Sequence, residues 1–255
     1  MITTKSQREI ELMRKAGEIV FLAHEAVKKE IKPGVSTKYL DDVVRRFIES
    51  KGATPSFLGY NGFPASICAS VNDVLVHGIP SADEILKEGD IIAIDIGANY
   101  KGYHGDSAWT YPVGEISEEA KKLLEVTEAS LFAGLEQVKA GNRVGDIGAA
   151  ISAYVKPFGF GVPVEYTGHG IGSEMHEDPS VPNYGIIGKG TLLRSNMTIA
   201  VEPMVQLGTH LTETMDDMWT VKSLDRKLTA HFEHTVLVTE DGYEILTRTQ
   251  EAYKH

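Results

Sequence analysis

Residues 91–109 read IIAIDIGANYKGYHGDSAW. The apolar run from Ile91 to Ile96 is broken by one carboxylate, Asp95. A second, Asp106, follows the turn residues Gly97, Asn99 and Gly102. Short β-branched runs around a Gly/Asn cluster predict two antiparallel strands joined by a tight loop. With Tyr100 and Lys101 at the tip, Asp95 lies directly opposite Asp106, their Cβ atoms roughly 5 Å apart on one face. Two anions so placed in an apolar surrounding repel, and a proton or a cation must sit between them. A divalent metal is the usual occupant, and a turn with two solvated aspartates is the plainer alternative.

Upstream, Ser6 with Glu9 has the form of a capping box. Ile10, Met13, Ala16, Val20, Ala23 and Val27 then recur at helical spacing up to Lys32-Pro33-Gly34. A second helix carries Leu40, Val43, Val44, Phe47 and Ile48 and stops at Gly52. Residues 54–80 mix Gly, Pro and short apolar runs and are expected to form strands and loops. Downstream of the hairpin the order restarts, with a helix from Ser117 to about Lys139 and another from about Val144 to Val155.

The restart is also visible residue by residue. At an offset of 107, KPGVSTKYLDDVVRRFIESKG (32–52) falls on KAGNRVGDIGAAISAYVKPFG (139–159), with Leu40 on Ile147, Val44 on Ile151 and Phe47 on Tyr154. The same offset lays IIAIDI (91–96) on TIAVEP (198–203), so that Asp95 falls on Glu202. Two similar halves, each a helix pair with a sheet, are expected to face each other and to supply carboxylates to a shared centre. The expected organisation is one catalytic domain over 1–255, with pseudo-repeats of about 1–115 and 116–255.

The chain has 255 residues, 42% of them hydrophobic, enough for an ample core. A formal net charge of −11 argues against bulk attraction to nucleic acid or to an anionic membrane. The single cysteine, Cys68, cannot form an internal disulfide and points to a reducing compartment. The N-terminal residues lack the apolar core of a signal peptide, and no run of about 18 apolar residues occurs. A soluble, cytoplasmic protein is expected.

AHFEHTVLV (230–238) is another apolar strand with an internal acid, Glu233. YTGHGIGSEMHEDPSVPNY (166–184) sets His169 among Gly168, Gly170 and Gly172, with His176 seven residues on. Glycine flanks permit the close backbone approach a buried ligand loop needs. Singly, each residue has an unremarkable alternative: an outward-facing strand acid, or a surface histidine. Together, Asp95, Asp106, Glu202 and Glu233 carry four negative charges that two divalent ions would neutralise, with His169 as a neutral fifth ligand. Oxygen and nitrogen ligands without thiolate favour Mn, Fe, Co or Zn in a hydrolytic two-metal site.

GYHGDSAW, TIAVEP, HFEHTVLV and above all YTGHGIGSEMHEDPSVPNY resemble the corresponding segments of the type I methionine aminopeptidases. The resemblance runs along essentially the whole chain. It implies an α+β pita-bread fold, an antiparallel sheet with flanking helices and internal pseudo-two-fold symmetry. It further implies that Asp95, Asp106, His169, Glu202 and Glu233 bind two metal ions, with Asp106 and Glu233 bridging them. His77 and His176 match the family's catalytic histidines, and Glu202 the proton shuttle. FLGYNGFPASIC matches the methionine side-chain pocket, so Tyr60, Phe63, Cys68 and Trp219 are implied as its walls. Phe57 stands where other bacterial members commonly have cysteine, a departure that bears on pocket width rather than on the reaction.

Only 31 positions separate Glu202 from Glu233, too few for the helical insertion of the type II enzymes, and the chain resembles the short bacterial form. The expected activity is removal of the initiator methionine from peptides and nascent chains with a small second residue, by a monomer that contacts the ribosome transiently. The alternatives are an X-Pro aminopeptidase or prolidase of the same fold, and a pita-bread binding module that has lost catalysis. All five ligand types being present weighs against the last of these.

Overall fold

Ser6 opens the first helix in the computed structural model, which describes residues 2–249. Its hydroxyl accepts from the Glu9 N–H, while the Glu9 carboxylate accepts from the Ser6 N–H at 2.7 Å. This reciprocal cap satisfies two otherwise orphaned donors and sets the start of α1 (Gln7–Lys28). α2 (Thr37–Ser50) starts from a Ser36 cap and α3 (Glu118–Leu135) from a Ser117 cap, with α4 (Val144–Val155) following. α3 is shorter than its apolar spacing suggests. Beyond Leu135 the chain tightens, with Gln137 and Val138 bonding back to Gly134 and Leu135, and then leaves to donate from Ala140 N to Thr239 O.

The first half holds β1 (Thr54–Pro55), β2 (Ile67–Val71), β3 (Val74–Val76), β4 (Ile91–Tyr100) and β5 (Tyr103–Pro112). The second holds β6 (Gly168–Gly170), β7 (Glu177–Val181), β8 (Thr198–Val201), β9 (Met204–Gln206), β10 (Thr212–Thr214), β11 (Val221–Ser223), β12 (Thr229–His231), β13 (His234–Val238) and β14 (Tyr243–Ile245). β4 is the hub of the first sheet, pairing with β1, β2 and β5. The second sheet runs β14-β13-β8-β6-β7, and every pairing is antiparallel.

The β4–β5 register differs from the expected one. The two-residue turn is Lys101-Gly102, at φ +51° and +91°, and Asn99 Oδ1 accepts from Gly102 N. Tyr100 therefore pairs with Tyr103, Asp95 with Ala108 and Gly97 with Asp106. The tip moves by one residue because a hairpin turn of this twist needs two left-handed residues, which Lys-Gly supplies and Tyr-Lys does not. The partner of every residue shifts by two, so Asp95 and Asp106 keep a common face as diagonal rather than direct neighbours.

The halves match in backbone bonding. Gly34 N donates to Leu86 O, and Gly141 N to Leu193 O. Leu86 N donates to Val35 O, and Leu193 N to Asn142 O. The bridges Ser36–Ile85 and Arg143–Leu192 stand in the same relation. Each of these pairs is separated by the offset of 107 found in the sequence. One apolar core packs α1 and α2 on β2 and β4 around Val20, Leu40, Val44 and Ile94. The other packs α3 and α4 on β8 and β13 around Leu123, Ile147, Ile151 and Val236.

Hydroxyls join the halves along β5. Ser107 Oγ donates to Glu233 O at 2.6 Å and Thr235 Oγ1 to Asp106 O at 2.8 Å. Thr110 Oγ1 donates to His231 O at 2.8 Å, and Glu233 N donates to Ala108 O at 2.9 Å. Both acid-bearing strands are thereby held at a shared centre. Among the described residues no helix is long and apolar enough to cross a membrane.

Candidate metal centre

Five elements converge where β5 meets the β12–β13 segment. β4 brings Asp95, β5 brings Asp106 and β6 brings His169. Glu202 directly follows β8, and Glu233 lies in the break between β12 and β13. β6 approaches its neighbours too closely for side chains on either flank of His169. A Cβ on Gly168 would lie 2.2 Å from Ala200 O, and one on Gly170 would lie 2.1 Å from Asp178 O. Glycine at both positions lets the histidine enter the sheet beside Glu202.

The donor atoms are close. One each from Asp106, His169 and Glu233 lie within 4.8 Å of one another, as do one each from Glu202, His231 and Glu233. His169 Nδ1 is 2.8 Å from Gly170 O, an atom that can only accept, so Nδ1 carries the ring proton. The bare Nε2 then faces Glu202 Oε1 at 3.4 Å and Asp106 Oδ2 at 3.6 Å. Lone pairs aimed at one another across such a gap call for a cation between them.

Charge leads to the same reading. Asp95 Oδ1, Asp106 Oδ1 and both Glu233 oxygens are buried without a hydrogen-bond donor. Burial, then repulsion from Glu202, pushes the Asp106 carboxyl up to about 8, and burial pushes Glu202 up to about 7. Burial first and Asp106 second raise Asp95 and Glu233 well above the usual carboxylate range. Three buried acids and the half-buried Asp95 with this little compensation form a site that divalent cations would relieve. An all-oxygen and imidazole set suits an ion of the Mn-to-Zn range.

A cavity of about 380 Å³ opens onto the acids. All the residues singled out in the sequence line it except Glu233, which sits fully buried behind them. Its apolar end is formed by Phe57, Phe63, Cys68 and Met175, with Tyr60 and Trp219 against them. Phe63 meets Trp219 edge-on at 5.1 Å. His176 Nδ1 is 2.8 Å from the Tyr60 hydroxyl, and its ring lies 4.3 Å from that of His169. His77, at φ +60°, presents its ring edge-on to Tyr166 and Trp219. Burial lowers both His77 and His176 to about 4, with nearby histidines adding to it, so both rings are neutral at pH 7.

Met175 and His231 are among the residues of the site not picked out from the sequence. Met175 neighbours His176 in the loop motif and closes the apolar end. His231 stands two residues before Glu233, and that alternation was the available signal, since residues two apart on a strand share a face. It is 2% exposed, and its Nε2 lies 3.0 Å from Glu202 Oε2.

Residues 11–240 match the model of metallopeptidase family M24. Methionine aminopeptidase 1 of Bacillus subtilis (strain 168) is 57% identical over 97% of this chain and 100% of its own length. The crystal structure of a methionine aminopeptidase from Thermotoga maritima superposes with a TM-score of 0.96 at 44% identity, covering 98% of this chain and 100% of that one. An Xaa-Pro dipeptidase from Bacillus anthracis is more distant, with a TM-score of 0.79 at 27% identity over 96% of this chain and 62% of that one.

Proposed function

The chain belongs to metallopeptidase family M24 and hydrolyses the peptide bond after an amino-terminal methionine, and we propose that Asp95, Asp106, His169, Glu202 and Glu233 hold two divalent ions for that reaction. The observation that carries the assignment is the facing of four acids, three of them buried, and an imidazole nitrogen at the floor of an apolar pocket. Asp106 and Glu233, the most enclosed of the acids, would be the pair shared between the ions. Co, Mn, Fe and Zn all suit the donor set. Divalent ions in such a site act as Lewis acids, polarising a carbonyl and making water acidic enough to attack at neutral pH.

The chain's own residues bind, orient and move protons. The apolar end, walled by Tyr60, Phe63, Cys68 and Trp219, takes the methionine side chain, since an unbranched thioether fits an irregular apolar slot. His176 accepts the Tyr60 hydroxyl proton at Nδ1, which leaves Nε2–H to donate to a substrate carbonyl. His77, neutral and lining the same cavity, offers a second donor. Glu202 takes the proton of the attacking water and delivers it to the leaving amine. The residue after methionine must fit beside the acids, which limits it to Ala, Gly, Ser and similar side chains. The domain acts as a monomer in the cytoplasm on peptides and nascent chains, with transient ribosome contact. Its single buried cysteine suits that reducing compartment.

Metal-loaded protein incubated with Met-Ala-Ser and with Ala-Pro peptides tests the reading. Free methionine should appear from the first and no alanine from the second. Release of alanine without methionine would identify an X-Pro aminopeptidase instead, and no release from either peptide would leave a binding module.

A further inference from the structure

We propose that His231 is a positioning residue of the metal centre: its Nε2–H holds one oxygen of Glu202, so that Glu202 offers only the other oxygen to an ion. The inference rests on the metal-binding reading above and concerns a residue outside the five-ligand set. Glu202 is divided between two imidazoles. Its Oε2 lies 3.0 Å from His231 Nε2, and its Oε1 faces His169 Nε2 at 3.4 Å. With an ion bound Glu202 is a carboxylate, whose oxygens can only accept, so the proton of the shorter contact then belongs to His231. The same Nε2 is 4.0 Å from Glu233 Oε2, beyond hydrogen-bond reach, and its donation goes to Glu202 alone.

The internal repeat gives His231 a defined place. Val201 pairs with His234 and Met204 with His231, so one register runs through the break that holds Glu202 and Glu233. In the first half Gly97 pairs with Asp106. At the offset of 107, Asp95 corresponds to Glu202 and Gly97 to Met204, which makes His231 the counterpart of Asp106. Each half thus sets a diagonal pair on one face, Asp95 with Asp106 and Glu202 with His231. A fifth acid at position 231 would leave two dications short of neutralising the centre. A neutral imidazole there supplies a donor without adding a charge.

The backbone of His231 is fixed by its pairing with Met204 of β9 on one side and by Thr110 on the other. Its N–H donates to Thr110 Oγ1 at 2.9 Å, and its carbonyl accepts from the same hydroxyl at 2.8 Å. The ring is therefore presented by a rigid strand, as an outer hydrogen bond that tunes a ligand requires.

The test is Co²⁺ titration of metal-stripped protein, followed by calorimetry and by the visible absorption of bound cobalt. His231→Leu fills similar volume without a donor, and it should weaken Co²⁺ binding by about 10- to 100-fold and alter the cobalt spectrum. His231→Gln keeps an N–H donor on a side chain of similar reach and should restore most of the affinity and the wild-type spectrum. Thermal melts of the metal-free variants confirm folding, and His231→Met replaces Leu if that variant does not fold. Wild-type affinity in the Leu or Met variant would overturn the proposal. A Gln variant as weak as Leu would overturn it too, because the imidazole would then act by more than its N–H. Wild-type protein that took up no Co²⁺ would instead refute the metal-binding reading beneath it.

Discussion

Replacing Asp106 by Asn exchanges one carboxylate oxygen for an amide nitrogen and removes a charge from the enclosed centre of the acid cluster. Asp106→Asn should abolish methionine release and lower bound metal, while the far-UV circular dichroism stays that of the wild type. A variant with normal turnover and full metal content would refute the bridging role. His77→Ala should behave differently. Its ring lines the cavity but lies outside the acid cluster, so turnover should fall by roughly two to four orders of magnitude, the range for a lost proton-transfer or oxyanion donor. Metal content, measured on the same preparation, should remain near normal, and its collapse would make His77 a ligand. At this scale the five proposed ligands were legible because each interrupts an apolar or glycine-rich run, a conspicuous cost that calls for a reason. His231 was less conspicuous. A histidine beside Ala and Phe reads as an ordinary core residue, and only the pairing of β12 with β9 shows which way it faces.

Elements are placed by close backbone contact as much as by apolar burial. α1 crosses β5 at Gly17 and Gly105, where a Cβ on Gly105 would lie 2.8 Å from Gly17 N and 3.0 Å from the Ala16 carbonyl carbon. Gly105→Ala should therefore push the helix from the strand that carries Asp106, at a cost of about 1–3 kcal/mol, the usual range for overpacking. Urea unfolding monitored by tryptophan fluorescence checks this, and an unchanged midpoint would show that α1 can yield freely. The helices were legible from their caps and apolar spacing, and α4 (Val144–Val155) matches its expected bounds. The hairpin was legible as a hairpin but not in its register. Apolar alternation is unchanged by a two-residue slip, so only the left-handed Lys101-Gly102 turn sets the partners.

Taken whole, the molecule is a folded chain built around mutual repulsion. Asp106 titrates near 8 and Glu202 near 7 without a cation, against about 4 for carboxyls in an unfolded chain. Above about pH 7, where histidines are already neutral in an unfolded chain, the metal-stripped folded state holds more protons than the unfolded state and its stability falls as pH rises; at lower pH the histidines buried neutral, such as His24, His77 and His176, act against the acids. Thermal melts of chelator-treated protein should show a lower Tm at pH 8.5 than at pH 7. Added Mn²⁺ should restore more at pH 8.5, where fewer protons compete with it for the acids. A Tm of the stripped protein that rose between pH 7 and 8.5 would contradict the buried cluster. Substrate choice belongs to the same scale, because the cavity is assembled from both halves. Methionine should be released quickly from Met-Ala and Met-Ser peptides and poorly from Met-Lys and Met-Ile, since steric exclusion outweighs the few kcal/mol of apolar contact. Comparable rates for Met-Ala and Met-Ile would remove the size filter.

The matched halves bear on one further property, the direction in which a peptide is read. A centre with strict two-fold symmetry would present the same face to either end of a chain, and could not tell an amine from a carboxylate by position. Here the backbone bonds repeat at a fixed offset while the side chains do not: Asp95 answers to the longer Glu202, and the acidic Asp106 to the donor His231. At the acid cluster itself the first half supplies only carboxylates, Asp95 and Asp106, while the second mixes acids with imidazoles. The divergence gives the centre a polar axis that the shared backbone plan lacks, and an exopeptidase needs that axis to distinguish the first residue of its substrate from the last.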